Sequence, residues 1–359
     1  MTVPGVDAAY RVNMVALVSR LDRLQRRWPA IGAPVAILYK YFDDQGAYLA
    51  AILTYYAFLA IFPLMLIAAT VLGFVLQSHE QLQQELLNSA LSRFPIIGDQ
   101  LGRPEGLHGS ASAVVVGSLA ALYGALGLGQ AAQNALNVAW AIPRQGRLNP
   151  IASRVRSLVL LTIGGVAVLA LAVSATLISH LEIFGAELSG WLQGGATVVS
   201  AAFVAVILGA ILVMATSVRR RFRDVLPGAV VIAVLWQALQ SLGGLYVEHV
   251  IRKVSAMNGI FAVVLGLFAF LYLAATIAVL GFQVNVVLAK RLYPRALLTP
   301  FTDAVDLTPA DRRVYTEYAQ AQRHKKFERV AVTFEDHREP ELPPPAPRPI
   351  VPSPRAPDE

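Results

Sequence analysis

Residues 254–289 read VSAMNGIFAVVLGLFAFLYLAATIAVLGFQVNVVLA and contain no Asp, Glu, Lys or Arg. Because about 20 helical residues cross the roughly 30 Å of bilayer hydrocarbon, this stretch is long enough to span a membrane. Five other charge-free stretches share that property, at residues 45–79, 106–143, 157–181, 188–218 and 225–247. The sequence therefore predicts a polytopic membrane protein with six transmembrane helices.

Helices rather than barrel strands follow from the continuity of these stretches, since barrel strands alternate polar and apolar residues in segments of about ten. Hydrophobic residues make up 56% of the chain and the mean hydropathy is +0.55. We predict an all-α fold with a membrane domain at residues 47–290. Its spans are expected at about 48–76, 112–138, 157–179, 196–216, 227–247 and 259–288.

The distribution of basic residues predicts the orientation of the spans. With six spans, all but four of the 30 lysines and arginines fall on one side of the membrane, which the positive-inside rule places in the cytoplasm. Both termini are then cytoplasmic. The net charge of +7 comes largely from clusters at span ends, such as Arg219 to Arg223, which fix topology and contact anionic headgroups. We therefore expect membrane lipids, and no nucleic acid, as partners. A homo-oligomer is a further possible assembly.

The segments outside the spans have their own patterns. Residues 1–46 form a cytoplasmic lead-in, in which apolar and basic residues interleave as in an interfacial helix and the short apolar run 28–39 also lies at the interface. Loop residues 77–110 are expected to cap the bundle from outside. Within residues 291–338, Thr308 and Asp311 predict the start of a polar helix that continues to about Val332. Residues 339–359 are proline-rich and predict a disordered or polyproline II tail, either a solubilising extension without a partner or a site that recruits one.

Three spans carry polar stripes. In the second span Gln130, Gln133, Asn134 and Asn137 follow i, i+3, i+4, i+7 spacing, with Tyr123 one repeat further back. Because unpaired amides are costly in hydrocarbon, we expect the stripes to meet in one interior. The fifth and sixth spans contribute the remaining polar residues: Gln237, Gln240, Ser241, Tyr272, Thr276 and Gln283.

Two interpretations of these stripes remain open. The amides can act as interhelical glue, supported by a small residue at every fourth position from Gly117 to Gly129. Alternatively, they line a neutral path or pocket for a polar headgroup or a small solute.

Several kinds of chemistry have no candidate residues. The spans contain no ionisable acid or base, which disfavours a proton relay. The six histidines are scattered, there is no cysteine, and neither a P-loop nor a nucleophile elbow is present. We therefore expect no enzyme activity, no catalytic residues, no metal and no cofactor.

Three motifs resemble the YihY/BrkB family of bacterial inner-membrane proteins. Residues 48–63, YLAAILTYYAFLAIFP, are similar to that family's first-span signature, with Tyr55, Tyr56 and Pro63. The second-span motif corresponds to Gln133–Trp140 and the terminal motif to Leu280–Asn285, including Gly281. The resemblance covers about residues 35–290. The chain departs from the family pattern at Gln283, where glutamate is usual, and at Asn258-Gly259, where a Tyr-Gly pair often opens the last span.

The resemblance implies a location in the bacterial cytoplasmic membrane and a role in envelope integrity, with proposals touching the export of lipid or other amphiphiles. Its former label, ribonuclease BN, is not supported here because the chain has no nuclease motif. Two hypotheses follow. The chain moves or organises a lipid-like amphiphile along its polar helix faces, or it is a non-transporting scaffold whose cytoplasmic surfaces or tail recruit partners.

Overall fold

The structure is a computed structural model that describes residues 22, 24–75, 111–183, 190–249, 256–297, 299 and 305–334 of the 359-residue chain. The predicted cap at residues 77–110, the proline-rich tail and most of the predicted amphipathic lead-in lie outside the described residues.

Eight complete α-helices and no strand occur in the described part of the chain. The six central helices, α2 to α7, are 26 to 35 residues long, which exceeds the length needed to cross a bilayer. To within one residue, each predicted span falls inside one of them. The helices are α1 (Pro29–Asp43), α2 (Gly46–Val75), α3 (Ala111–Ala139), α4 (Pro150–Ile183), α5 (Gly190–Ala215), α6 (Phe222–His249), α7 (Ala256–Lys290) and α8 (Pro309–Ala321).

The described residues contain three helical windows that are both long and apolar enough to cross a membrane. They are Pro150–Ala167 in α4, Phe222–Leu245 in α6 and Phe261–Lys290 in α7. Shorter apolar stretches occupy Gly46–Ile61 in α2 and Ala201–Ala215 in α5. The observed architecture is therefore all-helical and of membrane type.

Helices α2 to α7 form a closed ring. Each packs against its neighbours in sequence, and α7 returns to pack against α2. Neighbours in sequence are neighbours in space because the connections from α3 to α4 and from α5 to α6 are short. Helix α3 additionally reaches α5 and α7 across the ring. This arrangement gives the bundle an interior bounded by several helices.

The crossing of α6 and α7 depends on two glycines. A Cβ atom on Gly228 would overlap the carbonyl oxygen of Gly281, and one on Gly281 would overlap the side chain of Ile232. Small residues of this kind let helix backbones approach closely in membrane proteins. The Gly228 amide donates to Oδ1 of Asn285 at 2.6 Å, so the crossing also contains a buried hydrogen bond.

Helix α1 has two different faces. Ala36 and Lys40 are buried on the side that packs against α7, whereas Ile31, Leu38 and Phe42 are exposed on the other side. An amphipathic helix whose apolar side chains remain uncovered is what a position in the headgroup plane requires.

Helix α8 begins as predicted and ends earlier than predicted. Thr308 and Asp311 form a capping box, in which each side chain accepts a backbone N–H of the other residue. The helix ends at Ala321, so the predicted extension to about Val332 is wrong. The residues that follow include Arg323, Lys325 and Lys326, which offer no apolar face to pack and repel one another in a helix.

Candidate functional site

A polar cavity of about 330 Å³ lies between α2, α3 and the start of α4. The connections that follow α3 and α5 close its sides through Arg147 and Ser217. The cavity therefore lies at the end of the ring where α3 ends and α2 and α4 begin. It is lined by Ile52, Tyr56, Gly127, Gln130, Ala131, Gln133, Asn134, Asn137, Arg147, Leu148, Ser153 and Ser217.

The four amides of the second predicted span all line this cavity, as their spacing on one helical face predicts. Their environments differ: Gln133 and Asn137 are buried, Gln130 is half-buried and Asn134 is exposed. The stripe thus runs from the helix contact with α4 out to an open cavity wall.

Gln133 holds α3 to α4. Its Nε2 donates to Ser157 Oγ at 2.9 Å and to the Ser153 carbonyl oxygen at 3.1 Å. The backbones are close at this point, because a Cβ atom on Gly129 would lie 2.6 Å from Cβ of Ser157. Of the two interpretations of the amides, interhelical glue describes Gln133.

Arg147 reaches the same cavity from the connection after α3. Its Nη1 donates to Asn134 Oδ1 at 3.0 Å, and its Nε donates to the Ile142 carbonyl oxygen at 3.3 Å. Burial lowers the pKa of Arg147, and the charge of Arg144 lowers it further. An arginine stays protonated in proteins, so these effects mean that the cation is partly desolvated at this position.

Two further groups in the cavity are buried and have no hydrogen-bond partner in the described structure. They are Oδ1 of Asn137 and Oγ of Ser217. Asn137 is only 6% exposed. Because an unsatisfied buried polar atom costs free energy, these atoms indicate places where a ligand or water can bind.

A second cavity of about 200 Å³ lies inside the ring and is bounded by five helices, α3 to α7. Apolar side chains and one glycine line it, with no polar side chain among them: Leu128, Gly129, Ala132, Leu136, Leu160, Leu161, Leu208, Ile211, Leu212, Ala215, Ile232, Ala278 and Phe282. Helix α3 lines both cavities, the polar one through its amides and the apolar one through its leucines. A polar and an apolar compartment therefore lie on two faces of one helix.

The structure does not bring the three predicted polar faces together in one cavity. Gln237 and Ser241 are exposed on α6, where the Ser241 hydroxyl donates back to the Gln237 carbonyl oxygen at 3.1 Å. Tyr123 and Tyr272 are also exposed, at 62% and 38%. Gln240 and Thr276 are half-buried and line neither cavity. The rotation of α6 and α7 is set by close glycine packing, which a polar stripe on a single helix does not reveal.

Gln283 lies in a buried ion cluster that the sequence did not predict. Its Nε2 donates to Asp44 Oδ2 at 2.9 Å, and Lys40 Nζ donates to the same oxygen at 2.6 Å. Lys40 also donates to the Tyr318 hydroxyl at 3.2 Å. Together these hydrogen bonds join α1, α7 and α8. Burial lowers the pKa of Lys40 and raises those of Asp44 and Tyr318. Lys40 and Asp44 are four residues apart on one helical face, and that spacing was the available signal.

A second buried cluster fixes α8. Arg295 forms ion pairs with Asp311 and Asp43, and Asp311 Oδ2 also accepts the Ala296 amide at 3.0 Å. Although burial opposes the charge of Arg295, the hydrogen bonds and charges of the two aspartates raise its pKa. These contacts lie outside the spans and dock the segment after α7 against α1.

Trp140 of the second motif directly follows α3 and contacts two basic residues. The Arg220 guanidinium lies 4.0 Å from its ring centroid, and Lys290 Nζ donates to its carbonyl oxygen at 3.1 Å. Lys290 also pairs with Glu317 at 2.7 Å. Trp140 therefore connects the ends of α3, α5 and α7 with α8.

The remaining motif residues have mainly packing roles. The ring of Tyr56 occupies the space that a Cβ on Gly127 would need, and Tyr55 is exposed. Gly281 and Asn285 form the α6–α7 crossing. The side chain of Pro63 and the surroundings of Gly259 lie outside the described residues. Among the residues that are described, no group of three His, Cys, Asp or Glu side chains is placed to hold a metal.

The apolar helices, their closed ring and the polar ends define this chain as a helical protein of membrane type. It belongs to the Virulence factor BrkB family, whose model matches residues 37–303. The resemblance predicted from the three motifs is thereby confirmed. No curated protein and no solved structure matches the chain.

Proposed function

We propose that the chain is a six-span protein of the bacterial inner membrane that supports the envelope by moving a lipid-like amphiphile. The single observation that carries this proposal is the pair of cavities on two faces of α3, one polar and one apolar. An amphiphile has the same two kinds of surface, so its headgroup and its chain have separate compartments in one protein.

The topology of this proposal has six crossings and cytoplasmic termini. Contacts between the connections support it, because segments on the same side of a membrane can touch. Arg156 at the start of α4 donates to the Thr216 carbonyl oxygen beyond α5 at 3.0 Å, and Lys290 at the end of α7 donates to Trp140 at the end of α3. These segments carry the basic residues that the positive-inside rule assigns to the cytoplasm.

The proposed role is non-enzymatic and needs no cofactor, since the cavities offer binding groups without a nucleophile and base in contact. Its partners are membrane lipids, with anionic headgroups at the basic cytoplasmic face and a homo-oligomer as the assembly to look for. The exposed apolar face of α1 suits contact with that leaflet.

Reconstitution tests the movement of lipid. The full-length protein would be placed in liposomes containing fluorescent phosphatidylglycerol, and translocation would be followed by quenching of the outer leaflet. Leu160→Trp fills the apolar cavity and is expected to slow translocation at least severalfold. Val166→Trp, on an exposed position of the same helix, is the matched control and should behave as wild type. Wild-type rates no faster than those of empty vesicles would overturn the proposal.

A scaffold remains the second candidate, and the docking of α8 favours it. The ion pairs of Arg295 and Lys290 dock α8 at the end of the ring, where it can serve as a platform for a partner. Deletion of residues 339–359 separates the two functions. A transporter keeps its liposome activity without the tail, whereas a scaffold that recruits through the tail loses its envelope phenotype.

A further inference from the structure

The cation of Arg147 faces the polar cavity without a neutralising acid. None of the residues that line the cavity is acidic, and no carboxylate in the described part of the chain pairs with Arg147. Its protein contacts, the Asn134 amide oxygen and the Ile142 carbonyl oxygen, are both neutral and use only part of its five N–H donors. A half-buried guanidinium at a cavity wall, with no carboxylate paired to it, favours an anion.

The other polar groups of the cavity suit the same kind of ligand. The amides of Gln130, Asn134 and Asn137 and the hydroxyl of Ser217 supply hydrogen-bond donors around the cation. The buried Oδ1 of Asn137 has no partner in the described structure and accepts a hydrogen bond. A phosphoryl group attached to a hydroxyl or ammonium group meets both needs, because its oxygens accept and the neighbouring group donates.

We propose that the polar cavity binds an anionic phosphoryl group, with Arg147 as its charged partner and Asn137 as the acceptor for an adjacent donor. This inference rests on the proposed function and deepens it, since it names the headgroup chemistry of the amphiphile. The volume of about 330 Å³ lies within the range of small-ligand sites. The phosphoryl group can come from a lipid headgroup or from free phosphate, and binding experiments distinguish these sources.

The position of the cavity agrees with a headgroup ligand. Its wall is formed by the last turns of α3 and the first turns of α4, so it lies near the end of the bundle rather than at its middle. The exposed basic residue Arg144 lies at the same end. Its charge attracts anionic groups from the adjoining leaflet, although it does not line the cavity itself.

Native mass spectrometry of the full-length protein in detergent tests the inference with three probes: dioctanoyl phosphatidic acid, dioctanoylglycerol and inorganic phosphate. We expect phosphatidic acid to bind at least tenfold more tightly than dioctanoylglycerol. Arg147→Gln should weaken phosphatidic acid binding about tenfold, as expected for the loss of one charge-assisted contact. The matched control Arg154→Gln removes an exposed charge from the same region and should bind as wild type.

A second variant keeps the test valid if Arg147→Gln does not fold. Asn137→Leu removes an amide oxygen that bonds to no described residue, so folding should persist while binding of phosphatidylglycerol, which carries headgroup hydroxyls, weakens severalfold. Competition by inorganic phosphate would identify the phosphoryl group alone as the ligand, whereas lack of competition identifies the lipid headgroup. Both results support the site.

The failures are distinguishable from one another. Equal binding of phosphatidic acid and dioctanoylglycerol, or equal losses in Arg147→Gln and Arg154→Gln, would overturn the phosphoryl site and leave amphiphile binding intact. Binding of neither lipid would overturn the proposed function as well.

Discussion

Gln283 donates a hydrogen bond to Asp44 at 2.9 Å, although the two residues are 239 positions apart and the family usually has glutamate at the first of them. The amide suits this place because Asp44 already pairs with Lys40 in a buried environment. A carboxylate at position 283 would add a second negative charge beside Asp44 with only one lysine to compensate. The neutral side chain of Gln283, in place of the family's usual glutamate, therefore suits the buried Lys40–Asp44 pair.

Gln283→Glu should make stability depend more strongly on pH. Burial raises the pKa of Asp44, so the folded chain binds this proton more tightly than the unfolded chain. The contribution of Asp44 to stability is then greatest at acidic pH and falls as the pH rises from about 4 towards the folded pKa. A second carboxyl should steepen this fall and cost roughly 1–3 kcal/mol at pH 7. Thermal unfolding in detergent from pH 4 to pH 7 measures this pH dependence, with Gln283→Met as the uncharged control. Parallel pH profiles for the two variants would contradict this account.

Replacing Lys40 alone should lower the free energy of unfolding far more than replacing Lys40 and Asp44 together. Lys40→Met leaves a buried, uncompensated carboxylate, for which a loss of about 3–5 kcal/mol is typical. The double variant Lys40→Met with Asp44→Leu replaces the pair by apolar side chains and should lie close to wild type. Denaturant or thermal unfolding of wild type, Lys40→Met, Asp44→Leu and the double variant gives the coupling energy. Additive losses would show that the two side chains do not act as a pair.

Alanine at Gly228 should disrupt the α6–α7 crossing. The added Cβ overlaps the Gly281 carbonyl oxygen, so the helices must separate at a cost of about 1–3 kcal/mol or more. Gly244 is the matched control, since it lies on the same helix with nothing within 4 Å of its Cβ position. Gly244→Ala should be neutral or slightly stabilising because alanine favours a helix. Melting temperatures of the purified variants test this difference. Similar values for Gly228→Ala and Gly244→Ala would argue against the close crossing.

Arg220→Gln should lower the stability of the protein by removing a contact with Trp140 at the end of the ring. The guanidinium lies over the indole ring at 4.0 Å, a contact worth about 0.5–2 kcal/mol. Burial lowers the pKa of Arg220, which reflects its partly desolvated position beside the ring. The neighbouring Arg219 is exposed, and Arg219→Gln is expected to have no effect on unfolding. Quenching of Trp140 fluorescence should change in the first variant alone.

Single cysteines test the proposed topology directly, because the natural chain has none. Cysteines at Asn149 and Arg219, both exposed, should react with a membrane-impermeant maleimide from the cytoplasmic side. A cysteine at Ser189, between α4 and α5, should react from the opposite side. Labelling of Ser189→Cys and Arg219→Cys from one side would rule out the six-span arrangement.

Local patterns in the sequence predicted the helices and part of the cavity. The charge-free runs predicted helices α2 to α7, and the i, i+3, i+4, i+7 spacing placed four amides of α3 on one cavity wall. The capping pair at Thr308 also predicted the start of α8. Each of these features depends on residues within a few turns of one another, which is why they can be read without a fold.

Contacts between distant residues were not predictable in the same way. The polar stripe of α6 turned out to be exposed, because glycine packing at Gly228 and Gly281 sets its rotation. The ion clusters of Lys40 and Arg295 join residues from opposite ends of the chain, and the local sequence indicates only the pairing of Lys40 with Asp44.

The amino-acid sequence alone determined that this protein is helical, of membrane type and a member of its family, because hydrophobic length and short motifs are properties of continuous segments. The tertiary structure decided which polar groups face a cavity, that the cation of Arg147 joins the amides there, and that a second cavity between α3 and α7 is lined by apolar side chains. The physical reason is that side-chain environment depends on how each helix is rotated and packed, and close contacts between backbones set that rotation.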